Sequence, residues 1–98
     1  MELEIQTRST ELDPSWRDLI ERSVVRLTGR YPEILRLHVT VRHGTHHHVG
    51  SQMVSILANV EGATMRAEKE KEDAPSALHA AFAALEVELE YHQSGRRP

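Results

Sequence analysis

The spacing of apolar residues changes between a period of two and a period near 3.6 along this chain, and the order of these changes restricts the possible folds. Four segments alternate between apolar and polar residues, as β-strands do: residues 2–9, ILRLHVTVRH, VSILANVEG and ATMRAEKEKE. Two segments have helical spacing: LDPSWRDLIERSVVRLTGRYP and APSALHAAFAALEVELEYH. The predicted order is therefore β-α-β-β-β-α. Because each strand has one apolar face and each helix one apolar stripe, we predict an α+β fold with two helices packed on one face of a four-stranded sheet.

The first helix has clear start and stop signals. Asp13 precedes Pro14, so Asp13 is predicted to cap a helix whose first residue is the proline. Gly29 and Pro32 are predicted to mark the end of this helix. Its apolar stripe consists of Trp16, Leu19, Ile20, Val24, Leu27 and Tyr31.

The remaining segments also assign residues to the core. The residues predicted to point inward from the strands are Leu3, Ile5, Thr7, Leu35, Leu37, Val39, Val41, Val54, Ile56, Ala58, Val60, Met65 and Ala67. Glu61 and Gly62 are predicted to form the turn between the last two strands. Pro75 lies in the first turn of the second helix, where a missing N–H donor costs little. The residues that this helix is predicted to bury are Leu78, Phe82, Leu85 and Leu89.

Ninety-eight residues are enough for one domain with one sheet and one helical layer. We predict a single domain over residues 1–93 and a frayed tail over residues 94–98. No apolar run approaches the ~20 residues of a membrane span, and the acid-bearing first segment is unlike a secretion signal, so a cytoplasmic location is expected. The sequence has no cysteine, nucleophile elbow, phosphate-binding glycine loop or HExxH motif, so we predict a protein that is not an enzyme and needs no cofactor.

Basic residues form a row on the first helix. Arg22, Arg26 and Arg30 follow the spacing i, i+4, i+8, away from the apolar stripe. Such a row can follow a phosphate backbone because guanidinium groups match phosphate oxygens, but it is also typical of an ordinary solvated helix face. The formal net charge of −3, with histidines neutral, is unusual for a nucleic-acid binder, so the distribution of charge matters more than its sum.

The predicted open face of the sheet carries further cationic side chains, namely Arg8, Arg36, His38, Arg42 and Arg66. Like charges on neighbouring strands repel each other, so this set needs either interleaved acids or an external anion. Glu4, Glu68 and Glu70 are available as interleaved acids. The face has no aromatic pair that could stack bases, which disfavours single-stranded RNA as the ligand.

The stretch THHHVG, residues 45–50, lies between the second and third predicted strands, directly after His43 and Gly44. Its histidines could bind a metal ion, face an anion or belong to a polar connection that tolerates many sequences. A zinc site needs three or four ligands that further hydrogen bonds hold in place. We therefore predict a strand connection without a built metal site.

The segment LDPSWRDLIERSVVRLTGRYPEI resembles the first helix of the ribosome hibernation promoting factor family, which includes the ribosome-associated inhibitor proteins. The residues that match the family's helix opening are Leu12, Asp13, Trp16, Arg17 and Asp18, and those that match its end are Leu27, Arg30 and Tyr31. The segment MRAEKEKEDAPSALHAAFAALEVEL is similar to the family's last strand and the acidic start of its second helix. The matching residues there are Glu72, Asp73, Ala77 and Leu78. The resemblance covers nearly the whole chain in order and spacing.

This resemblance implies a short member of the family, with a fold like that of double-stranded-RNA-binding domains and a role in the stress response. It implies a cytoplasmic protein that docks in the decoding channel of the small ribosomal subunit and stops translation by occupying the path of tRNA and messenger RNA. The expected partners are the small subunit and its ribosomal RNA, with no membrane and no small-molecule substrate, and the expected state is a monomer. The predicted RNA-binding residues are Arg8, Arg22, Arg26, Arg30, Arg42 and Arg66. A loop that faces RNA or a metal is predicted at His43, His46, His47 and His48.

The chain departs from the family in its second helix and in the connection that contains the histidines. Where the family has a lysine-rich run, this helix has Ala84, Val87, Tyr91 and Gln93. The C-terminal half of the helix is acidic through Glu86, Glu88 and Glu90. The connection also looks several residues longer than in common members. The alternative prediction is therefore a non-ribosomal interaction domain that binds a protein partner or a metal through the histidine-rich loop and the acidic second helix.

Overall fold

Residues 1–8, 11–44 and 51–95 are described by the computed structural model, and they form four strands and two helices. In chain order these are β1 (Glu2–Arg8), α1 (Pro14–Arg30), β2 (Ile34–His43), β3 (Gln52–Val60), β4 (Ala63–Lys71) and α2 (Ala74–Gly95). The predicted order β-α-β-β-β-α is confirmed. Helix α2 continues through Ser94 and Gly95, two residues beyond the predicted domain boundary, and residues 96–98 lie outside the described residues. Neither described helix is long and apolar enough to cross a membrane.

The four strands form one mixed sheet in the order β1-β2-β3-β4. Strands β2, β3 and β4 are antiparallel neighbours, whereas β1 and β2 run parallel. Parallel neighbours need a crossover connection, and α1 provides it. At the connection between β3 and β4, Gly62 has a φ of +83°, which glycine adopts without steric cost, so the predicted turn at Glu61 and Gly62 is confirmed.

Both helices cover the same face of the sheet, as the amphipathic patterns predicted. The core between the two layers contains Ile20, Val24, Leu27, Tyr31, Leu37, Val39, Val41, Val54, Ile56, Ala58, Val60, Met65, Ala67, Leu78, Phe82, Leu85 and Leu89. Leu3, Ile5, Trp16 and Leu19 are partly buried at its edge. The opposite face of the sheet is open, so alternate residues of each strand are available for contacts with other molecules.

The predicted inward position of Leu35 is wrong. Leu35 is 58% exposed, and Ile34 is buried instead. The residues before and after it, Ile34 and Arg36, pair with consecutive residues of β3. Leu35 is therefore the extra residue of a β-bulge, which shifts the alternation at the start of β2 by one position.

Aspartates cap both helices. Asp13 Oδ1 accepts a hydrogen bond from Ser15 N–H at 2.8 Å, which confirms the predicted cap of α1. At α2, Asp73 Oδ1 accepts a hydrogen bond from Ser76 N–H at 2.8 Å. Hydrogen bonds from the hydroxyl and N–H of Ser15 hold the pKa of Asp13 below its usual 3.8, and those from the N–H and hydroxyl of Ser76 do the same for the pKa of Asp73. Asp73, which the family resemblance singled out, therefore stabilises the start of a helix.

Candidate nucleic-acid interface

The predicted arginine row lies on the exposed side of α1. Arg22, Arg26 and Arg30 are all exposed, whereas the opposite side of the helix is buried. Arg22 Nε lies 3.2 Å from Asp18 Oδ2, as the i, i+4 spacing of the two residues indicates. Arg26 has no carboxylate within 4.0 Å among the residues that the structure describes. Arg26 therefore offers the most available guanidinium group of the row.

Arg30, at the C-terminal end of α1, contacts groups on two sides. Its Nη1 atom lies 4.0 Å from Glu86 Oε1 on α2, and its guanidinium group lies 5.5 Å from the centre of the Tyr31 ring. The Arg30 side chain is nevertheless 62% exposed. An ion pair with this exposure contributes little to stability, so Arg30 can exchange Glu86 for a phosphate at low cost.

Two depressions lie between α1 and α2, here together called the helix groove, and these two ends differ chemically. The basic end is a depression of about 270 Å³ lined by Leu19, Arg22, Ser23, Arg26 and His79. His79 was not among the predicted residues. It lies one position after the buried Leu78, and this position beside the apolar stripe of α2 was the signal that could have identified it. The basic end thus combines cationic or ionisable side chains from both helices.

The other end of the helix groove is apolar and acidic. Its depression of about 460 Å³ is lined by Arg30, Tyr31, Ala83, Glu86, Val87, Glu90, Tyr91 and Ser94. Val87 and Tyr91, the positions at which the family resemblance implies lysines, are 67% and 80% exposed. Burial, together with the hydrogen bond that the Tyr31 hydroxyl donates to Glu90 Oε2 at 2.9 Å, raises the pKa of that hydroxyl above 10.0. Electrostatics therefore favour a phosphate backbone at the basic end of the groove and not at this end.

The open face of the sheet brings Arg8, Arg42 and Arg66 to one place. They line a depression of about 290 Å³, here called the sheet cleft, together with Gln6, His38, Thr40, Ser55, Leu57 and Glu68. The strand register places Arg8 directly beside Arg42 in the parallel β1–β2 ladder. Because both helices cover the other face, the sheet cleft and the helix groove lie on opposite sides of the molecule.

Two arginines of the open face have carboxylate partners. Arg36 Nη2 lies 3.1 Å from Glu2 Oε2 on the neighbouring strand, and the two residues also form a hydrogen bond. Arg66 Nη2 lies 3.6 Å from Glu68 Oε2 on its own strand. The prediction that acids interleave with these cations is therefore correct for Glu68, and Glu2 provides a partner that the prediction did not include.

Arg8 and Arg42 differ from Arg36 and Arg66 in their carboxylate neighbours. Within the described residues, no carboxylate lies within 4.0 Å of either guanidinium group. Arg42 Nη2 instead contacts the thioether sulfur of Met53, which is a weak hydrogen-bond acceptor. Local acids therefore neutralise only part of the positive charge on the open face.

The six predicted RNA-binding arginines are thus divided between two faces. The helix groove is bordered by Arg22, Arg26 and Arg30. The sheet cleft is bordered by Arg8, Arg42 and Arg66. A single RNA segment that lies against one face cannot contact both sets. The role of these six residues in RNA binding stays a prediction.

The predicted histidine loop is only partly covered by the described residues. His43 is exposed at the end of β2, where its Nδ1 atom accepts a hydrogen bond from the Gln52 side-chain amide at 3.1 Å. Gly44 N–H donates to the Ser51 carbonyl at 2.8 Å, so residues 45–50 connect two antiparallel strands. His46, His47 and His48 lie outside the described residues. Within the described residues, no group of three or more His, Cys, Asp or Glu side chains could hold a metal ion.

Comparisons with known proteins agree on the fold. A family model described as "Sigma 54 modulation protein / S30EA ribosomal protein" matches residues 3–97. The structure of a ribosomal subunit interface protein from Coxiella burnetii is similar, with a TM-score of 0.86 and 19% identity over 96% of this chain and 99% of that chain. The crystal structure of the N-terminal domain of Protein Y from Thermus thermophilus is similar too, with a TM-score of 0.79 and 22% identity over 94% and 99% of the two chains. Among curated protein sequences, none matches this chain.

Proposed function

Since the chain belongs to the sigma 54 modulation protein / S30EA ribosomal protein family, we propose that it binds the small ribosomal subunit and occludes its decoding channel. Members of this family are non-enzymatic, ribosome-associated proteins. The partners in this proposal are the small subunit and its ribosomal RNA, and association with ribosomes implies a cytoplasmic location. The protein acts as a monomer and without a cofactor.

The single observation that carries the proposal is the family match over residues 3–97, which is nearly the whole chain. Because the match includes nearly all of the folded domain, it supports a ribosomal partner for this domain as a whole. The exposed arginine row of α1 adds a chemical reason, because guanidinium groups bind phosphate oxygens with paired hydrogen bonds.

The basic end of the helix groove supplies the main phosphate contacts in this proposal. Arg26 can bind without giving up a carboxylate partner from the described part of the chain, whereas Arg22 and Arg30 exchange exposed ion pairs for phosphates. Contacts of this kind position a protein on RNA but do not read its sequence. The shape of the ribosomal RNA therefore determines where the protein sits.

Inhibition by occlusion needs no chemical step. A folded domain that is held in the path of tRNA and messenger RNA excludes both by its volume. The domain suits this role because side chains such as Leu37, Ile56 and Leu85 are fully buried between sheet and helices, and a closely packed core resists deformation.

Co-sedimentation of the purified protein with small ribosomal subunits tests the proposal. We expect binding at about 50 mM salt that weakens steeply toward about 200 mM, because cations leave the RNA when arginines bind its phosphates. Arg26→Gln is expected to weaken binding and to reduce the slope of log K against log salt by about one. Arg17→Gln is the matched control, since Arg17 is an exposed arginine of α1 that lies outside the row and pairs with Glu21 at 3.9 Å.

Two results would contradict parts of this proposal. A protein that fails to sediment with small subunits at either salt concentration does not bind them. A protein that binds subunits equally well with and without tRNA in the channel does not occlude the decoding channel. Competition with tRNA therefore tests the mechanism separately from the binding.

A protein partner at the acidic end of the helix groove is the second candidate function. The exposed Val87 and Tyr91 side chains lie beside Glu86 and Glu90, so this surface suits a segment with apolar and basic residues. Ribosome binding that requires Arg26 but not these four residues would favour the first candidate. A wild-type protein that does not bind ribosomes would favour the second.

The metal-binding part of the alternative depends on His46 and His48, which lie outside the described residues. Calorimetric titration with zinc tests it. Stoichiometric binding that His46→Ala with His48→Ala abolishes would support a metal site. A heat signal no different from that of buffer would exclude one.

A further inference from the structure

We propose that the sheet cleft is a second phosphate-binding site, centred on Arg8 and Arg42 and independent of the arginine row of α1. The phosphate groups belong either to RNA or to a free phosphate compound. The inference rests on the proposed function only where ribosomal RNA is named as their source.

Two like charges face each other on the neighbouring strands β1 and β2. Arg8 and Arg42 are direct partners in the β1–β2 ladder, and both side chains line the sheet cleft. Like charges directly opposite each other destabilise a sheet. No described carboxylate lies within 4.0 Å of either group, so an anion bound between them would reduce the repulsion.

Arg36 shows that the same two strands can neutralise an arginine on this face. Arg36 of β2 is the direct ladder partner of Glu2 on β1, and their side chains form an ion pair at 3.1 Å. The β1–β2 ladder thus contains one pair of opposite charges and one pair of like charges. The binding site is therefore placed at the like-charged pair, Arg8 and Arg42, and not at every arginine of the open face.

Neutral donors surround this pair. Thr40 and Ser55 are partners across β2 and β3, and Gln6 is the partner of Thr40 on β1. All three side chains line the cleft and are half-buried. Hydroxyl and amide groups can donate hydrogen bonds to phosphate oxygens, so the cleft offers donors in addition to its charges.

The charge balance of the cleft is positive. Among the lining residues there are three guanidinium groups and one carboxylate, that of Glu68. This carboxylate already lies 3.6 Å from Arg66. The positive charge of Arg8 and Arg42 therefore remains available to a ligand.

The lining favours phosphate groups over bases. Among the described residues that line the cleft, none is Phe, Tyr or Trp, so the cleft lacks the rings on which single-strand-binding proteins stack bases. Guanidinium groups match phosphate oxygens in pairs. The cleft is thus suited to a phosphodiester backbone or a free phosphate compound.

The sheet cleft can bind a ligand independently of the helix groove because the two lie on opposite sides of the molecule. The sheet and both helices separate it from the helix groove, so a ligand in the cleft leaves the α1 arginines accessible. A molecule with both sites occupied would contact two separate RNA segments at the same time.

Titration with sodium pyrophosphate, followed through the amide NMR signals of the isotope-labelled protein, tests the site. We expect saturable shifts at Arg8, Thr40, Arg42 and Ser55. The double variant Arg8→Gln with Arg42→Gln is expected to bind at least roughly tenfold more weakly, because it loses two charge-assisted hydrogen-bond donors. Arg36→Gln is the matched control, since it removes an arginine of the same face that Glu2 already neutralises, and it should bind as the wild type does.

Four results would overturn the proposal. The first is a spectrum that pyrophosphate does not change, and the second is equal affinity in the double variant, whose unchanged signals outside the cleft show that it is folded. The third is a set of shifts confined to α1 and His79, which would place the anion in the helix groove. An acidic peptide that displaces pyrophosphate equally well would also overturn the assignment to phosphate.

Competition experiments identify the source of the phosphate. A short RNA duplex that displaces pyrophosphate from the cleft assigns the site to RNA. ATP that does so while the duplex does not assigns the site to a free phosphate compound. Both outcomes support a phosphate site.

Sedimentation with small subunits separates this inference from the proposed function. If the wild type does not bind subunits but pyrophosphate still shifts the cleft signals, the proposed function fails and the phosphate site stands. If the wild type binds subunits and pyrophosphate has no effect, the phosphate site fails and the proposed function stands.

Discussion

At the scale of single residues, the nearest carboxylate determines what an arginine of this protein can bind. Asp18 lies beside Arg22 because both residues are on one helix face, and sequence spacing is enough to predict this contact. Glu2 lies beside Arg36 because β1 and β2 are neighbours in the sheet. No local pattern reveals that neighbour, so the sequence could not show that Arg42 has no similar carboxylate partner among the described residues.

The like-charged pair has a measurable effect on stability. Arg8→Gln is expected to raise the free energy of unfolding by about 0.2–1 kcal/mol at low salt, because it removes the cross-strand repulsion with Arg42. The gain should shrink at high salt, where exposed charges are screened. Urea denaturation at two salt concentrations measures both effects. Arg36→Gln is the control and should not stabilise the protein, and a decrease in stability for Arg8→Gln would contradict the prediction.

The cap of α2 links stability to pH. Hydrogen bonds from Ser76 hold the pKa of folded Asp73 below 3.8, so the ionised carboxylate is favoured in the folded state. The stabilisation is therefore complete above a pH of about 3.8 and is lost as the pH falls through the folded pKa. We expect Asp73→Ala to lower Tm by roughly 4–8 °C near neutral pH, and by less in strong acid.

Thermal unfolding over a series of pH values checks this prediction for Asp73. Glu72→Ala is the matched control, because Glu72 is the exposed acidic neighbour in sequence and makes no described cap contact. A difference in Tm between the wild type and Asp73→Ala that stays constant down to strong acid would show that the ionised form has no special role.

At the scale of helices and strands, periodicity predicts elements and faces well but not irregularities. The alternation in β3 and β4 correctly places Val54, Ile56 and Met65 in the core, because the pleat there is regular. It fails at Leu35, where one extra residue reverses the faces. A bulge depends on how two strands meet, and the sequence of one strand does not contain that information.

The division of the candidate site between two faces could be predicted only in part. The sequence correctly assigns Arg8, Arg42 and Arg66 to the open face and Arg22 to an exposed helix face. It does not show that Arg8 lies beside Arg42, since this contact depends on a parallel pairing between β1 and β2. Which residues of two strands lie side by side depends on the order and direction of the strands in the sheet. The alternation of apolar and polar residues within one strand does not specify either.

The acidic end of the helix groove offers a test at this scale. Val87→Lys with Tyr91→Lys adds two cations at exposed positions of the acidic end, which Arg30 of the arginine row also lines. We expect tighter binding to small subunits at low salt and a salt slope that is steeper by roughly two. Sedimentation at several salt concentrations measures both quantities.

The control for this lysine variant is Val25→Lys with Leu35→Lys. Val25 and Leu35 are 72% and 58% exposed and do not line the groove, so the control adds the same charge elsewhere. Equal gains in the two variants would mean that net charge decides binding. A larger gain for the groove variant would mean that the position of the charge decides it.

At the scale of the whole molecule, a net charge of −3 is compatible with phosphate binding because the charges are segregated. The basic end of the helix groove and the sheet cleft are positive, whereas the end of the groove that contains Glu86 and Glu90 is acidic. Local potentials decide contact at short range, because salt screens exposed charges beyond about 8–10 Å. A total charge therefore says little about a surface divided in this way.

The architecture also predicts which part of the sheet opens most easily. Among the described strands, β1 pairs only with β2, and its inward side chains Leu3 and Ile5 are partly buried. Strand β3 lies between two strands, and its inward side chains are buried in the core. We expect the amides of β1 to exchange with solvent faster than those of β3. Hydrogen-exchange NMR measures this, and equal protection in β1 and β3 would contradict the prediction.

The parallel pairing of β1 with β2 has a consequence for ligand binding. Arg8 and Arg42 stand side by side only while β1 is docked, because the chain between them includes all of α1. A phosphate held by both residues binds the docked sheet more tightly than a sheet with β1 detached, so ligand and docking reinforce each other by mass action. RNA bound in the cleft would then hold β1 against β2, and slower amide exchange in β1 would show that the strand stays docked.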